Sequence, residues 1–234
     1  MLNTHFDVSL YNGLPLVFAA DAAVKSNEKF DDFLRVAGAL IVEAGLANIA
    51  GVFLLHRHNV LKEENLMLEE YGWFRQEPAL ITHPANANKY GKIATPTRWA
   101  IVDSTYIPVE YSIDEDLHAN FETLSRNRDF LNKYANAVAK YGFAGNLGLC
   151  IFDRDYFHQD RAGNILVEES SLEEESNIVF WTKRENYTNN LIETVWHFAS
   201  DVSGPDCVPL CSQYCAQYSP GHAIEHYPNH GIIA

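Results

Sequence analysis

Apolar residues recur at helical spacing in two stretches of the chain. Residues 28–45 place Phe30, Phe33, Leu34, Val36, Ala37, Leu40 and Ile41 on one face, and residues 121–141 do the same with Phe121, Leu124, Phe130, Leu131, Tyr134, Ala135 and Val138. Each stretch ends at a glycine, Gly45 or Gly142, where a helix C-cap is expected. A short apolar run follows each glycine, at 52–55 and 147–152. A turn comes next, Lys62-Glu63-Glu64-Asn65 or Asp160-Arg161-Ala162-Gly163, and then a second apolar run. This order predicts a helix followed by a hairpin. Further strands are predicted at 99–102 and 178–182, and around the prolines at 14–18 and 107–111.

The two stretches belong to a longer repeat. Gly45, Ala47, Gly51 and Arg57 match Gly142, Ala144, Gly148 and Arg154 of the second block in type or character, at a constant offset of 97. Asn65 to Glu70 matches Asn164 to Glu169 at 99, and Thr97-Arg98-Trp99 meets Thr194-Val195-Trp196 at 97 again. Leu14-Pro15-Leu16, Ile107-Pro108-Val109 and Val208-Pro209-Leu210 recur near the same period. Repeats of this kind predict the fold before any single motif does. The expectation is an α+β fold of two strand-helix-hairpin units, with antiparallel sheet, helices on one side and a pseudo-two-fold. The units are 1–110 and 111–206, with a tail at 207–234, all packed as a single compact domain.

Composition narrows the function. The 234 residues are 47% hydrophobic, enough for a real core. The 17 Lys+Arg against 31 Asp+Glu give a net charge of −14. That charge and the lack of a basic stripe argue against nucleic acid and anionic membrane surfaces as partners. No apolar run approaches the roughly 20 residues of a membrane helix, and no basic residue precedes the run at 14–20 as a signal peptide requires. Four cysteines do not make a disulfide scaffold, so a reducing cytoplasmic setting is expected. The acidic stretch 168–175 reads as a solvated loop. No Walker loop, G-x-G-x-x-G or G-x-S-x-G is present.

One constellation could carry chemistry. His56 and His58 are two apart in a predicted strand and should share a face with Val52 and Leu54. Pairing the hairpin about Glu63 and Glu64 sets His58 opposite Glu69. Two imidazoles and a carboxylate suit a divalent transition metal, Fe, Mn, Cu or Zn, with open positions for chemistry. The second copy brings Asp153, Asp155 and Glu168 together, an all-oxygen set for a harder cation or for none. A polar strand end with no metal is the competing reading, and Arg57 and Arg154 then serve as structural salt-bridge partners.

The segment Gly51, His56, His58, Glu63 and Gly72 resembles the first motif of the cupin family, which is a glycine, His-x-His, a glutamate and a distal glycine. The resemblance covers residues 51–72. It implies a β-barrel, here with added helices, and makes Glu63 a rival to Glu69 as the acidic ligand. Of the family's second motif only the fragment Pro220-Gly221-His222 is present. At the C-terminus, Cys207, Cys211 and Cys215 are spaced by four, as are His222, His226 and His230. On a helix such residues share a face, and a buried small-residue stripe is expected there in preference to a zinc site. Folding back of the tail could bring His222 or His226 to His56.

Two functions follow. The first is a metal-dependent, oxidative enzyme acting on a small organic molecule, with His56, His58 and Glu69 as ligands and Tyr71, Trp73 and Phe74 lining the pocket. The second is a non-catalytic duplicated module that binds a small ligand or a protein, with a second copy of the chain as a possible partner.

Overall fold

The apolar runs at 52–55 and 147–152 become the two most deeply buried strands of a closed barrel. A computed structural model describes residues 2–152, 163–171, 175–187, 191–198 and 209–216. Among these, ten strands form: β1 (Ala50–Leu54), β2 (Asn65–Phe74), β3 (Glu77–Asn86), β4 (Thr95–Val102), β5 (Thr105–Ser112), β6 (Leu147–Ile151), β7 (Asn164–Ser171), β8 (Ser176–Lys183), β9 (Leu191–Phe198) and β10 (Pro209–Ala216). They close in the order β1-β6-β4-β5-β2-β3-β8-β7-β10-β9, with β9 returning to β1. All pairings are antiparallel except β2 with β5 and β7 with β10. The fold is thus a mixed β-barrel with added helices, the alternative that the cupin resemblance implied. The expected α+β sheet of hairpin units is corrected.

The correction has a physical cause. The predicted hairpin between 52–55 and 66–69 does not form: β1 pairs with β6 and β9, and β2 pairs with β3 and β5. Strands β1 and β6 are apolar at every position and buried throughout. A strand of that kind needs cover on both faces. It finds helices outside and the lumen inside, and it cannot lie at the edge of a hairpin. Val52, Leu54, Leu147, Leu149 and Ile151 pack outward against Phe33, Ile41, Tyr134 and Val138. Phe53, Met67, Leu80, Ala100, Val109, Cys150, Leu166, Val179 and Val195, one from each of β1 to β9, fill the lumen together.

The register is symmetric. Val52 pairs with Leu149 at the centre of β1–β6, and Leu80 with Val179 within β3–β8. Trp99 of β4 lies beside Leu149 as Trp196 of β9 lies beside Val52. Gly51 and Gly148 are required by this approach. A Cβ on Gly51 would stand 2.6 Å from the Trp196 carbonyl oxygen, and one on Gly148 would stand 2.2 Å from that of Trp99.

The helices are α1 (Val8–Asn12), α2 (Val17–Lys25), α3 (Phe30–Glu43), α4 (Ala87–Tyr90), α5 (Glu115–Arg126) and α6 (Arg128–Tyr141). Gly45 and Gly142 take the left-handed conformation (φ 72° and 80°) just after α3 and α6. Residues 121–141 are two helices and not one. Asn127 breaks them and accepts from the Phe130 N–H, while its amide donates to the Ala44 carbonyl. The strand expected at 14–18 is also corrected: Leu16 is the N-cap of α2 and makes a single bridge to Arg57. The C-terminal segment expected as helical or loop contributes β10, so Cys211 and Cys215 lie on a strand. Helix α1 sends Tyr11 and the following Leu14 into the lumen cluster. Asn12 anchors it by exchanging two hydrogen bonds with the Leu61 backbone, at 2.9 and 2.8 Å.

Candidate metal centre

His56 and His58 reach the lumen by leaving the strand. Strand β1 ends at Leu54, and the alternation that would have put the histidines with Val52 and Leu54 ends with it. The imidazoles instead lie together, centroids 4.6 Å apart, with the His56 ring 5.6 Å from that of Phe53. The acid that meets them comes from the other half of the barrel. Leu166 and Glu168 alternate onto the inner face of β7, and Glu168 approaches His58 Nε2 at 3.2 Å and His56 Nε2 at 3.9 Å. Cys215 is paired with Glu168 in the β7–β10 register and completes the set. One donor atom from each of His56, His58, Glu168 and Cys215 lies within 4.8 Å of the other three. Their exposures are 2, 4, 1 and 0%.

The donors fit a metal ion. Bonds of about 2.0–2.3 Å in a tetrahedral site set donors roughly 3.3–3.8 Å apart, and the Glu168 contacts at 3.2 and 3.9 Å bracket that span. The outer contacts are also those of ligating histidines. Nδ1 of His56 lies 2.8 Å from the Leu54 carbonyl and must donate to it. Nδ1 of His58 lies 2.9 Å from Ser170 Oγ, whose hydroxyl donates to Asn177 Oδ1 at 3.1 Å. The hydroxyl therefore accepts from Nδ1–H, which leaves Nε2 facing Glu168, where a proton sits in the metal-free pair and an ion takes its place on binding. The Gln213 amide donates to Glu168 at 3.1 Å.

Electrostatics support a cation at this point. Burial opposes ionisation of Glu168, but His58, His56 and Arg98 together hold it well below the usual carboxylate range. Burial and the Glu168 charge raise the Cys215 thiol, an order that a coordinated cation reverses. Tyr11 is fully inside, kept protonated by burial and by Glu110, with a hydrogen bond to the His58 backbone opposing the shift.

Of the residues singled out from sequence, His56 and His58 stand in this group. Glu69 is buried in the lumen but lies 3.7 Å from Arg98, outside the group. Glu63 is exposed in the turn before β2. His222, His226, Asp153, Asp155 and Cys207 lie outside the described residues. Glu168 was expected at the start of a solvated loop and is instead a buried strand residue. The offset of 99 that aligns it with Glu69 was the available signal. No spacing pointed to Ser170, Asn177 or Gln213, and Cys215 stood out only in a helical cysteine ladder. Tyr71 and Trp73 are exposed at 47 and 74%, and Phe74 packs with Ala79, Ile178 and Phe180 on the outer side. Among the described residues, no helix is long and apolar enough to cross a membrane. Comparison of the chain with protein-family models, curated proteins and solved structures finds no match.

Proposed function

We propose that this protein is a metal-dependent enzyme acting on a small organic molecule, with its ion held by His56, His58 and Glu168 and with Cys215 as a further donor. The observation that carries the reading is the buried four-donor group in a barrel lumen. Two nitrogens, one oxygen and one sulfur favour zinc, iron or copper over magnesium or calcium. A redox-capable ion in that place would supply electron transfer, which is the oxidative chemistry we assign. Glu69 is the neighbouring candidate acid–base group. Burial, opposed by Arg98 and reinforced by Glu110 and Glu168, pushes its pKa up to about 7, where a carboxyl both gives and takes a proton. The two halves, with one order of elements and symmetric pairings, read as products of a tandem duplication in which only one half kept the histidines.

A non-catalytic binding module is the second reading, and Cys215 favours it. Four protein donors close a coordination sphere, as in structural sites, whereas catalytic sites keep a position open. Elemental analysis of purified protein and of two variants separates these readings. His58→Ala should lose the ion and leave the barrel folded, since the apolar clusters do not include it. Cys215→Ser should keep the ion if the site is catalytic, and should lose both ion and thermal stability if it is structural. Occupancy should fall as pH drops, because protons compete with the ion for the donor atoms. Full metal content in His58→Ala, or none in the wild type, overturns the proposal.

A further inference from the structure

The lumen also holds a pair of acids, and this pair carries its own cation. Arg98 on β4 reaches Glu110 Oε2 at 3.0 Å through Nη1 and Glu69 Oε2 at 3.7 Å through Nη2. Its guanidinium lies 4.6 Å from the Phe53 ring centroid. Arg98, Glu110 and Glu69 are 5, 4 and 7% exposed. A buried carboxylate is costly without a partner, so the guanidinium is what lets these acids lie inside.

These positions correspond, pairing by pairing, to the metal centre. Glu69 stands beside Ser112 across β2–β5 as Glu168 stands beside Cys215 across β7–β10. Glu110 faces Arg98 across β4–β5 as Gln213 faces Val195 across β9–β10. Arg98 lies against Cys150 of β6 as Val195 lies against Phe53 of β1. One lumen carboxylate therefore has a tethered cation. The other has an apolar valine in the tethering position, with two imidazoles and a thiol gathered around it.

We propose that Arg98 is the barrel's built-in substitute for a bound ion: its guanidinium fills a latent second cation site made by Glu69 and Glu110, and so limits the native chain to one exogenous ion, at Glu168. The latent site offers carboxylate oxygen, which suits a hard divalent cation such as Mn2+. The count of one native ion rests on the proposed function; the occupancy of the second site by Arg98 rests on its own contacts.

The test gives β4 the residue that β9 carries. Arg98→Val, wild type, and the triple variant Arg98→Val/Glu69→Gln/Glu110→Gln are titrated with Mn2+ at pH 8. Free Mn2+ is read by electron paramagnetic resonance, and melts are recorded with and without the ion. Arg98→Val should take up one more Mn2+ per chain than wild type, and its midpoint should rise with Mn2+ by several degrees more. The triple variant should fold without the ion and show no added uptake. Equal uptake in Arg98→Val and wild type overturns the inference. So does added uptake that persists in the triple variant, or failure of Arg98→Val to fold in saturating Mn2+. A wild type that carries no metal by elemental analysis, beside an Arg98→Val that binds one Mn2+, overturns the Glu168 reading and leaves this one standing.

Discussion

Replacing Glu168 by Gln keeps the side chain's shape and removes its charge. That charge faces His58 Nε2 at 3.2 Å and His56 Nε2 at 3.9 Å, and accepts from Gln213 at 3.1 Å. Removing one member of a buried pair strands the other, at a cost of about 3–5 kcal/mol. A chain of 234 residues unfolds with an entropy of about 0.5 kcal/mol/K, so the midpoint should fall by about 6–10 °C. The pH dependence has a definite sign. Burial raises the Glu168 carboxyl, but the histidines and Arg98 outweigh it and the folded-state pKa lies below the ordinary 4.5. A depressed carboxyl stabilises the fold above its unfolded value, and the contribution disappears as pH falls below that value. The gap between wild type and Glu168→Gln should therefore be present above pH 4.5 and should narrow below it. Thermal melts of metal-free protein across this range measure the gap, and elemental analysis at pH 7.5 records the lost donor as lost metal. A midpoint change under about 2 °C at pH 7.5, or a gap that does not narrow in acid, refutes the ion-pair reasoning.

Ser170→Ala removes the acceptor that orients His58 and should weaken metal binding by about 10–100-fold, measured by competition with a chromophoric chelator; Ser170→Thr should restore it. Glu69, raised to about 7 chiefly by burial, favours the fold below its unfolded value and loses that contribution as pH rises through 7. Wild type should lose about 3 kcal/mol between pH 4 and 8 from this group, and Glu69→Gln should show a flatter pH profile of melting midpoints; equal slopes exclude Glu69 as the source. Gly148→Ala forces its Cβ against the Trp99 carbonyl, 2.2 Å away, and should lower stability by more than about 2 kcal/mol in denaturant titrations. The same change at exposed Gly163 (φ 79°), where none of the described residues lies within 4 Å, should cost about 1 kcal/mol through backbone strain alone.

Local patterns in the chain determined the parts. The spacing of Phe33, Leu34, Ala37 and Ile41, and of Leu131, Tyr134, Ala135 and Val138, is that of helices with one buried face, and those residues form the outer core. Gly45 and Gly142 ended these helices because φ near 70–80° favours residues without a Cβ. The apolar runs after them announced strands, and His56-x-His58 announced neighbouring imidazoles. Which strand each run would meet was beyond local reading. Hairpin pairing is favoured by short loops, and on that ground β1 was expected beside β2. Closure of a ten-strand barrel instead placed β1 against β6 and β9, because only there could both of its faces be covered. The same closure decided the acid. Glu69 and Glu168 occupy equivalent positions in sequence, but the pairing of β7 with β10 brought Glu168 and Cys215 to the histidines, while Arg98 claimed Glu69. A ligand set assembled from the segment after β1, from β7 and from β10 depends on contacts such as His56 and His58 with Glu168, more than a hundred positions apart, and those contacts exist only once the barrel has closed.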